Sequence, residues 1–234
     1  MKIVKEFSRF AEEYQKHNRI QVEVASKLTS MLDSNRYKKV LDLGCGSGAI
    51  YENLIKNSII VDEFIAFDFS KEMLELHPTA FNIEKICADF NNQDSFIDYK
   101  NGYFDMVISA SALQWSKDLS KVLKTISLLS ERFYFSFFTS KTFNTLHEIA
   151  GVTSPIYSME SILEKLNRDY NYKFEVVEYK LYFNSVLEML RYIKRSGVSG
   201  GTNKLSYREM KRLMREYPLD YLEFEVLFVN ATKS

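Results

Sequence analysis

The chain has 234 residues, of which 46% are apolar and 26% charged, the profile of an ordinary globular protein long enough to bury a large core in one domain. Lys plus Arg and Asp plus Glu number 31 each, so nothing in the total charge points to a nucleic-acid partner, and only local clustering could. Two cysteines, Cys45 and Cys87, are too few for a disulfide framework and lack metal-ligand spacing; both are expected to be reduced, small and part-buried.

From the N-terminus, residues 3–33 read as helical: Phe7, Phe10 and Tyr14, then Ile20, Val24 and Leu28, recur at helical spacing among charges, with Asn18 a candidate break. This stretch has no apolar signal core. Val40 to Leu43 is a short apolar strand running into glycines, followed by a helix over Ala49–Lys56. Phe64–Phe67 is a second strand; Ser70 caps a helix through Leu76 that Pro78 ends, and His77 before it is placed at the surface. Ile83–Ala88 is a third strand, and Phe104–Ser109, after the turn signal Asn101-Gly102, a fourth. A helix over Leu119–Leu129 leads into a fifth strand, Phe133–Phe138, the longest greasy stretch and far too short to span a bilayer. Residues 142–167 are helical with breaks near Gly151 and Pro155. Phe174–Phe183 is a strand, Ser185–Arg195 and Ser206–Tyr217 are helices around a Gly- and Ser-rich link, and Tyr221–Val229 closes as a strand.

Strands alternating with helices predict an α/β fold: a Rossmann-like, seven-stranded, mostly parallel sheet with helices on both faces. N-terminal helices over 1–34, a binding core over 35–140 and a helical insertion with closing strands over 141–234 together make a single domain, expected to be cytoplasmic and monomeric.

The strongest chemical signal is Asp42-Leu43-Gly44-Cys45-Gly46-Ser47-Gly48, where a strand meets closely spaced glycines and then a helix, so that backbone can approach a ligand with no Cβ in the way. Asp68 ends the second strand, where an acid would bind ribose hydroxyls, and Asp89 follows the third. The spacing is G-x-G-x-G, not the dinucleotide G-x-G-x-x-G, and Asp42 in front of it suits a cationic amino group and would repel a pyrophosphate. Taken singly, the glycines could merely turn and the acids merely cap loops; all the pieces in register argue otherwise.

This constellation resembles the class I S-adenosylmethionine-dependent methyltransferases. The resemblance implies S-adenosyl-L-methionine as cofactor, with Gly44, Gly46 and Gly48 along its methionine and ribose, Asp68 on the ribose, Asp89 and Phe90 framing the adenine, Phe69 and Met73 packed against that ring, and Ser109 also at the cofactor. A narrower resemblance, to the carboxyl methyltransferases of biotin synthesis, is carried by Phe7–Gln21 as an N-terminal lid, by Ser109–Trp115 ending in Leu-Gln-Trp, and by Glu188–Gly201 with the closing strand. It implies methyl transfer to the free carboxylate of a malonyl thioester, carried by an acyl carrier protein or by CoA. Such a carboxylate is ionised at neutral pH and needs no general base, in keeping with the absence of a Ser-His-Asp or Cys-His set in the sequence. Tyr14 and His17 of the lid and Trp115 at the fourth strand are then substrate-side candidates. The alternatives are that Tyr14 is an amphipathic-helix core residue and Trp115 plain packing.

One charge cluster stands out. Arg191, Lys194, Arg195, Lys204, Arg208, Lys211, Arg212 and Arg215 are set against Glu209 alone, a local charge of about +7. Four of them, Arg208, Lys211, Arg212 and Arg215, share a face of one helix. The face suits an acidic carrier protein; an RNA-binding face and a merely solvated helix are the alternatives. Rival functions are a small-molecule methyltransferase of the trans-aconitate or ubiquinone type and a non-catalytic assembly factor on the same fold.

Overall fold

A computed structural model describes residues 18–99, 104–196 and 206–234. Seven strands form one sheet: β1 (Arg36–Leu43), β2 (Ile60–Asp68), β3 (Ile83–Cys87), β4 (Met106–Ala110), β5 (Arg132–Phe138), β6 (Tyr170–Tyr182) and β7 (Tyr221–Lys233). Their spatial order is β3-β2-β1-β4-β5-β7-β6; β1 to β5 run parallel and β7 is antiparallel to both neighbours. The order reverses between β1 and β4, so the crevice for a ligand opens at the C-terminal ends of those two strands.

The helices are α1 (Arg19–Ser30), α2 (Ala49–Lys56), α3 (Lys71–Leu76), α4 (Leu119–Leu129), α5 (Asn144–Ala150), α6 (Met159–Leu166), α7 (Val186–Ser196) and α8 (Tyr207–Glu216). Alternate strand residues feed two cores. Val40, Phe64, Ile108, Tyr134 and Phe228 pack on one face with Ile20, Val24 and Leu28 of α1 and Ile50 and Leu54 of α2. Leu41, Leu43, Phe67, Val107, Phe133, Phe135 and Phe137 pack on the other with Leu119, Val122, Leu123 and Ile126 of α4 and with α6. Burial on both faces explains why β5 is aromatic at consecutive positions, broken only by the buried Ser136.

Local signals set several boundaries. Asp118 caps α4 by accepting from the Lys121 N–H, and Ser70 caps α3 by accepting from the Met73 N–H. Ser206 and Glu209 form a reciprocal capping box at the start of α8. Other strands exceed their apolar runs. β1 begins at Arg36 because its polar start is held across to β2 by the Arg36–Asp62 and Lys39–Glu63 ion pairs, at 2.9 and 3.1 Å. β6 begins at Tyr170, whose buried hydroxyl donates to the Leu123 carbonyl at 2.9 Å, and it pairs with β7 along its whole length, through Asn171, Asn230 and Thr232. The two asparagines among them are poor strand formers carried by the ladder. The fourth strand starts two residues later than expected, at Met106, with Phe104 making only an isolated bridge to Ser130.

Two side chains correct the sequence reading. His77 is 2% exposed, not at the surface, because Pro78 turns the chain inward and seats the ring beside Tyr51 and Phe64. Cys87 is exposed because it closes the edge strand β3, whereas Cys45 is buried in the glycine loop. The Asn101-Gly102 turn and the helical stretch before Asn18 lie outside the described residues. Among the described residues no helix is long and apolar enough to cross a membrane.

Candidate functional site

The end of β1 is built around backbone that only glycine adopts without strain. Gly44, Gly46 and Gly48 have φ of 78°, 53° and 96°. The Gly44 and Cys45 N–H groups donate to the Phe67 carbonyl at 2.8 and 3.1 Å, which ties the loop to the end of β2. Asp68 completes the tie: one carboxylate oxygen accepts from the Gly46 N–H at 2.9 Å and the other from the Ser70 N–H at 2.8 Å. Gly48 then caps α2 with no side-chain hydrogen bond. The sequence marked the glycines and Asp68; the second bond, from Ser70, follows from an Asx turn at Asp68 that its Asp-Phe-Ser sequence permits.

Asp42 lies immediately behind this loop. It is fully buried, and neither carboxylate oxygen has a hydrogen-bond partner. Burial, and after it the neighbouring Asp68, push its carboxyl well above the usual range. Asp68 is also raised by burial, against the lowering effect of the Ser70, Gly46 and Phe69 backbone N–H groups. A buried acid without a partner is costly to keep in a folded chain.

The remaining motif residues fall around the same edge of the sheet. Met73 is buried under the loop, its methyl carbon 3.4 Å from where a Gly46 Cβ would be. Phe69 is half-buried just past Asp68, and Phe90 is buried beyond Asp89. Asp89 is partly engaged already, accepting from the Asn91 backbone and side-chain amides at 2.9 and 2.8 Å and facing Lys117 at 3.9 Å. Ser109 is fully buried and its hydroxyl donates to the Leu43 carbonyl at 2.7 Å, so it braces the end of β1 against β4. Trp115 is half-buried on a short 3-10 turn, Leu113–Trp115, after β4. Gln114 in that turn donates to the Ser111 carbonyl at 2.6 Å, and Ser111 itself has φ of 56°.

Sequence reasoning missed Ala112. A Cβ built on Gly44 would lie 2.3 Å from the Ala112 Cβ, so the glycine loop and the turn after β4 are in direct contact. Nothing in the sequence pairs these two positions; only the parallel adjacency of β1 and β4 does. A cleft lined by Arg36, Tyr37, Phe104 and Arg132 opens at the opposite edge, and none of the motif residues lines it.

The basic face is placed in part. Arg191 on α7 and Arg208, Lys211, Arg212 and Arg215 on α8 are all exposed. Glu216, one residue past the run, pairs with Arg212 at 3.0 Å and also with Arg215, so the cluster is less basic than the spacing implied. Tyr207, Met210 and Met214 are exposed on the same helix, and Leu213 is its buried anchor. The side chains of Lys194 and Arg195, and the whole of Tyr14, His17 and Lys204, lie outside the described residues.

The family model of a methyltransferase domain matches residues 41–129, from β1 through α4 and across both Asp42 and Asp68. The stretch that carries Asp42, the three glycines and Asp68 is thus similar in sequence to a methyltransferase domain. Similarity to individual proteins is modest. A malonyl-[acyl-carrier protein] O-methyltransferase of Bacillus anthracis is 29% identical over 153 residues, 61% of this chain and 55% of that protein. One of Bacillus cereus is 26% identical over 266 residues, 98% of this chain and 96% of that one. The chain thus spans about half the length of the first relative and nearly all of the second. Among solved structures, the magnesium protoporphyrin IX methyltransferase from Synechocystis PCC 6803 with bound SAH superposes with a TM-score of 0.57 at 13% identity, over 93% of this chain and 86% of that one. At that identity it speaks for the fold of the methyltransferase domain.

Proposed function

We propose that this chain methylates the free carboxylate of a malonyl thioester, malonyl-[acyl-carrier protein] or malonyl-CoA, in the cytoplasm, as an early step of biotin synthesis. The carrying observation is the contact of Gly44 with Ala112, which puts the Leu113-Gln114-Trp115 turn on the rim of the same crevice as Asp42 and Asp68. Support comes from the names of the relatives, one of them similar over almost the whole chain.

The residues suit the cofactor. When bound, S-adenosylmethionine supplies an electrophilic methyl group on a sulfonium sulfur. Asp42, buried without a partner, answers a cationic amino group, and the three glycines leave room for backbone contact along the methionine and ribose. The Asp68 oxygens accept backbone N–H groups, Gly46 and Ser70 among them, and a carboxylate's four acceptor sites leave capacity for a ribose hydroxyl. Phe69, Met73, Asp89 and Phe90 would frame the adenine, and Ser109 would act from behind by holding Leu43.

On the acceptor side the protein has little proton chemistry to do, since a malonyl carboxylate is already ionised at neutral pH. Its task is to hold that oxygen in line with the methyl carbon and to keep water away, which Trp115 serves as a wall of the pocket. Arg191, Arg208 and Lys211 attract an acidic carrier and orient it. The test is to incubate the chain with S-adenosylmethionine and malonyl-carrier or malonyl-CoA and weigh the product. A gain of one methyl group supports the reading; no gain on either substrate, with cofactor binding intact, overturns it.

A further inference from the structure

The corner that follows α3 is built with more care than a connection needs. Pro78 ends the helix, and His77 before it leaves the helical backbone with φ of −64° and ψ of 139°. The His77 ring is buried, 6.1 Å from the Tyr51 ring of α2 and 6.0 Å from the Phe64 ring of β2. Its Nδ1 lies 2.9 Å from the Pro78 carbonyl oxygen, which can only accept, so Nδ1 carries the hydrogen and Nε2 the lone pair. The same corner is clamped from β3: the Lys85 ammonium donates to the carbonyls of Leu74 at 2.8 Å and His77 at 2.6 Å, and to the Thr79 hydroxyl at 3.2 Å.

What this corner touches is the third glycine of the loop. A Cβ on Gly48 would lie 2.5 Å from Pro78 Cδ and 3.0 and 3.2 Å from His77 Cδ2 and Cγ. Gly48 at φ of 96° is the residue through which the loop turns into α2, and its own carbonyl starts that helix by accepting from the Glu52 N–H at 3.0 Å. The loop is therefore held from two sides, by Asp68 at Gly46 and by the His77-Pro78 corner at Gly48.

We propose that His77 and Pro78 are positioning residues for the cofactor: the corner they form supports Gly48 and keeps the glycine loop, with the start of α2, in the shape that receives S-adenosylmethionine. The inference rests on the cofactor reading above and adds a support that the glycine motif does not contain. Neither residue touches the cofactor; both act through Gly48.

The test exploits the shape of asparagine. In His77→Asn the Cγ and its two branches stand where the ring's Cγ, Nδ1 and Cδ2 stood, so the contact with Gly48 and a donor toward Pro78 are kept and only the far side of the ring is lost. In His77→Ala all of it goes. Calorimetric titration with S-adenosylmethionine, on protein verified as folded by its unfolding midpoint, is expected to show binding about ten-fold or more weaker for His77→Ala and within about three-fold of wild type for His77→Asn. A lowered midpoint with wild-type affinity in His77→Ala would make the ring a core filler and overturn the proposal. Should that variant not fold, Pro78→Ala, which removes the Cδ that lies 2.5 Å from where a Gly48 Cβ would stand and leaves the ring, is titrated in its place; unchanged affinity there overturns it equally. Failure of the cofactor reading itself looks different, since the wild-type chain would then give no binding heat at all.

Discussion

Gly44 and Ala112 meet across the crevice so closely that a Cβ on the glycine would lie 2.3 Å from the alanine methyl. This contact joins the loop that ends β1 to the turn that carries Gln114 and Trp115, and it makes both small residues a single requirement. Gly44→Ala should cost about 1–3 kcal/mol from overpacking and about 1 kcal/mol or more from the positive φ. Ala112→Gly in the same chain should return the first part and leave the second. Denaturant unfolding of the two single variants and the double variant measures this; strict additivity would mean that the residues do not press on one another.

Asp42 should trade stability for binding. Its folded carboxyl lies well above the usual range because of burial and then Asp68, so the native state binds a proton that the unfolded chain releases. The stability linked to this group is therefore complete below the unfolded carboxylate range and is lost as pH rises through the raised folded value. Asp42→Asn should raise the unfolding midpoint of the cofactor-free protein at neutral pH by about 2–4 °C, the equivalent of roughly 1 kcal/mol. It should also erase most of the thermal shift that S-adenosylmethionine produces in wild type. A destabilised variant, or one with the full cofactor shift, contradicts the role assigned here.

Asp68 holds the Gly46 and Ser70 N–H groups, and in the function proposed it also receives ribose hydroxyls. Asp68→Ala should weaken cofactor binding by about 1.5–3 kcal/mol, one to two decades, and should lower the unfolding midpoint because two backbone donors lose their acceptor. Calorimetry with unchanged affinity would remove the ribose contact from the proposal.

On α8 the cations are no longer equivalent once Glu216 is counted. Arg212 and Arg215 are engaged by it, whereas Arg208 and Lys211 are exposed and pair with no acid among the described residues. Reversing Arg208 and Lys211 to Glu should raise the KM for malonyl-carrier steeply and leave malonyl-CoA less affected, because CoA presents only a few phosphates. Wild-type activity on the carrier should fall as salt rises from about 50 to 500 mM, as screening shortens the reach of the charges. Equal KM values for variant and wild type at low salt would leave α8 a solvated face.

Short-range chemistry made much of this protein legible from its residues alone. The boundaries of α2 and α4 follow from caps and 3.6-residue spacing, the strands near the site from apolar runs, and the cofactor from three glycines flanked by Asp42 and Asp68. Those features act within a few residues of one another, so a linear reading captures them. What folding alone decided was which distant groups meet. The burial of the Asp42 carboxylate without a partner is set by the folded sheet and not by its neighbours in sequence; Ser109 was read as a cofactor residue, and its hydroxyl donates to the carbonyl of Leu43, 66 residues away. His77 looked like a surface residue beside a proline and became the wall behind Gly48, because the parallel pairing of β1 with β2 brings α3's end under the loop. Hydrogen bonding and contact repulsion fall off within a few ångströms, so residues far apart in sequence have no mutual energy to read until the sheet sets them side by side.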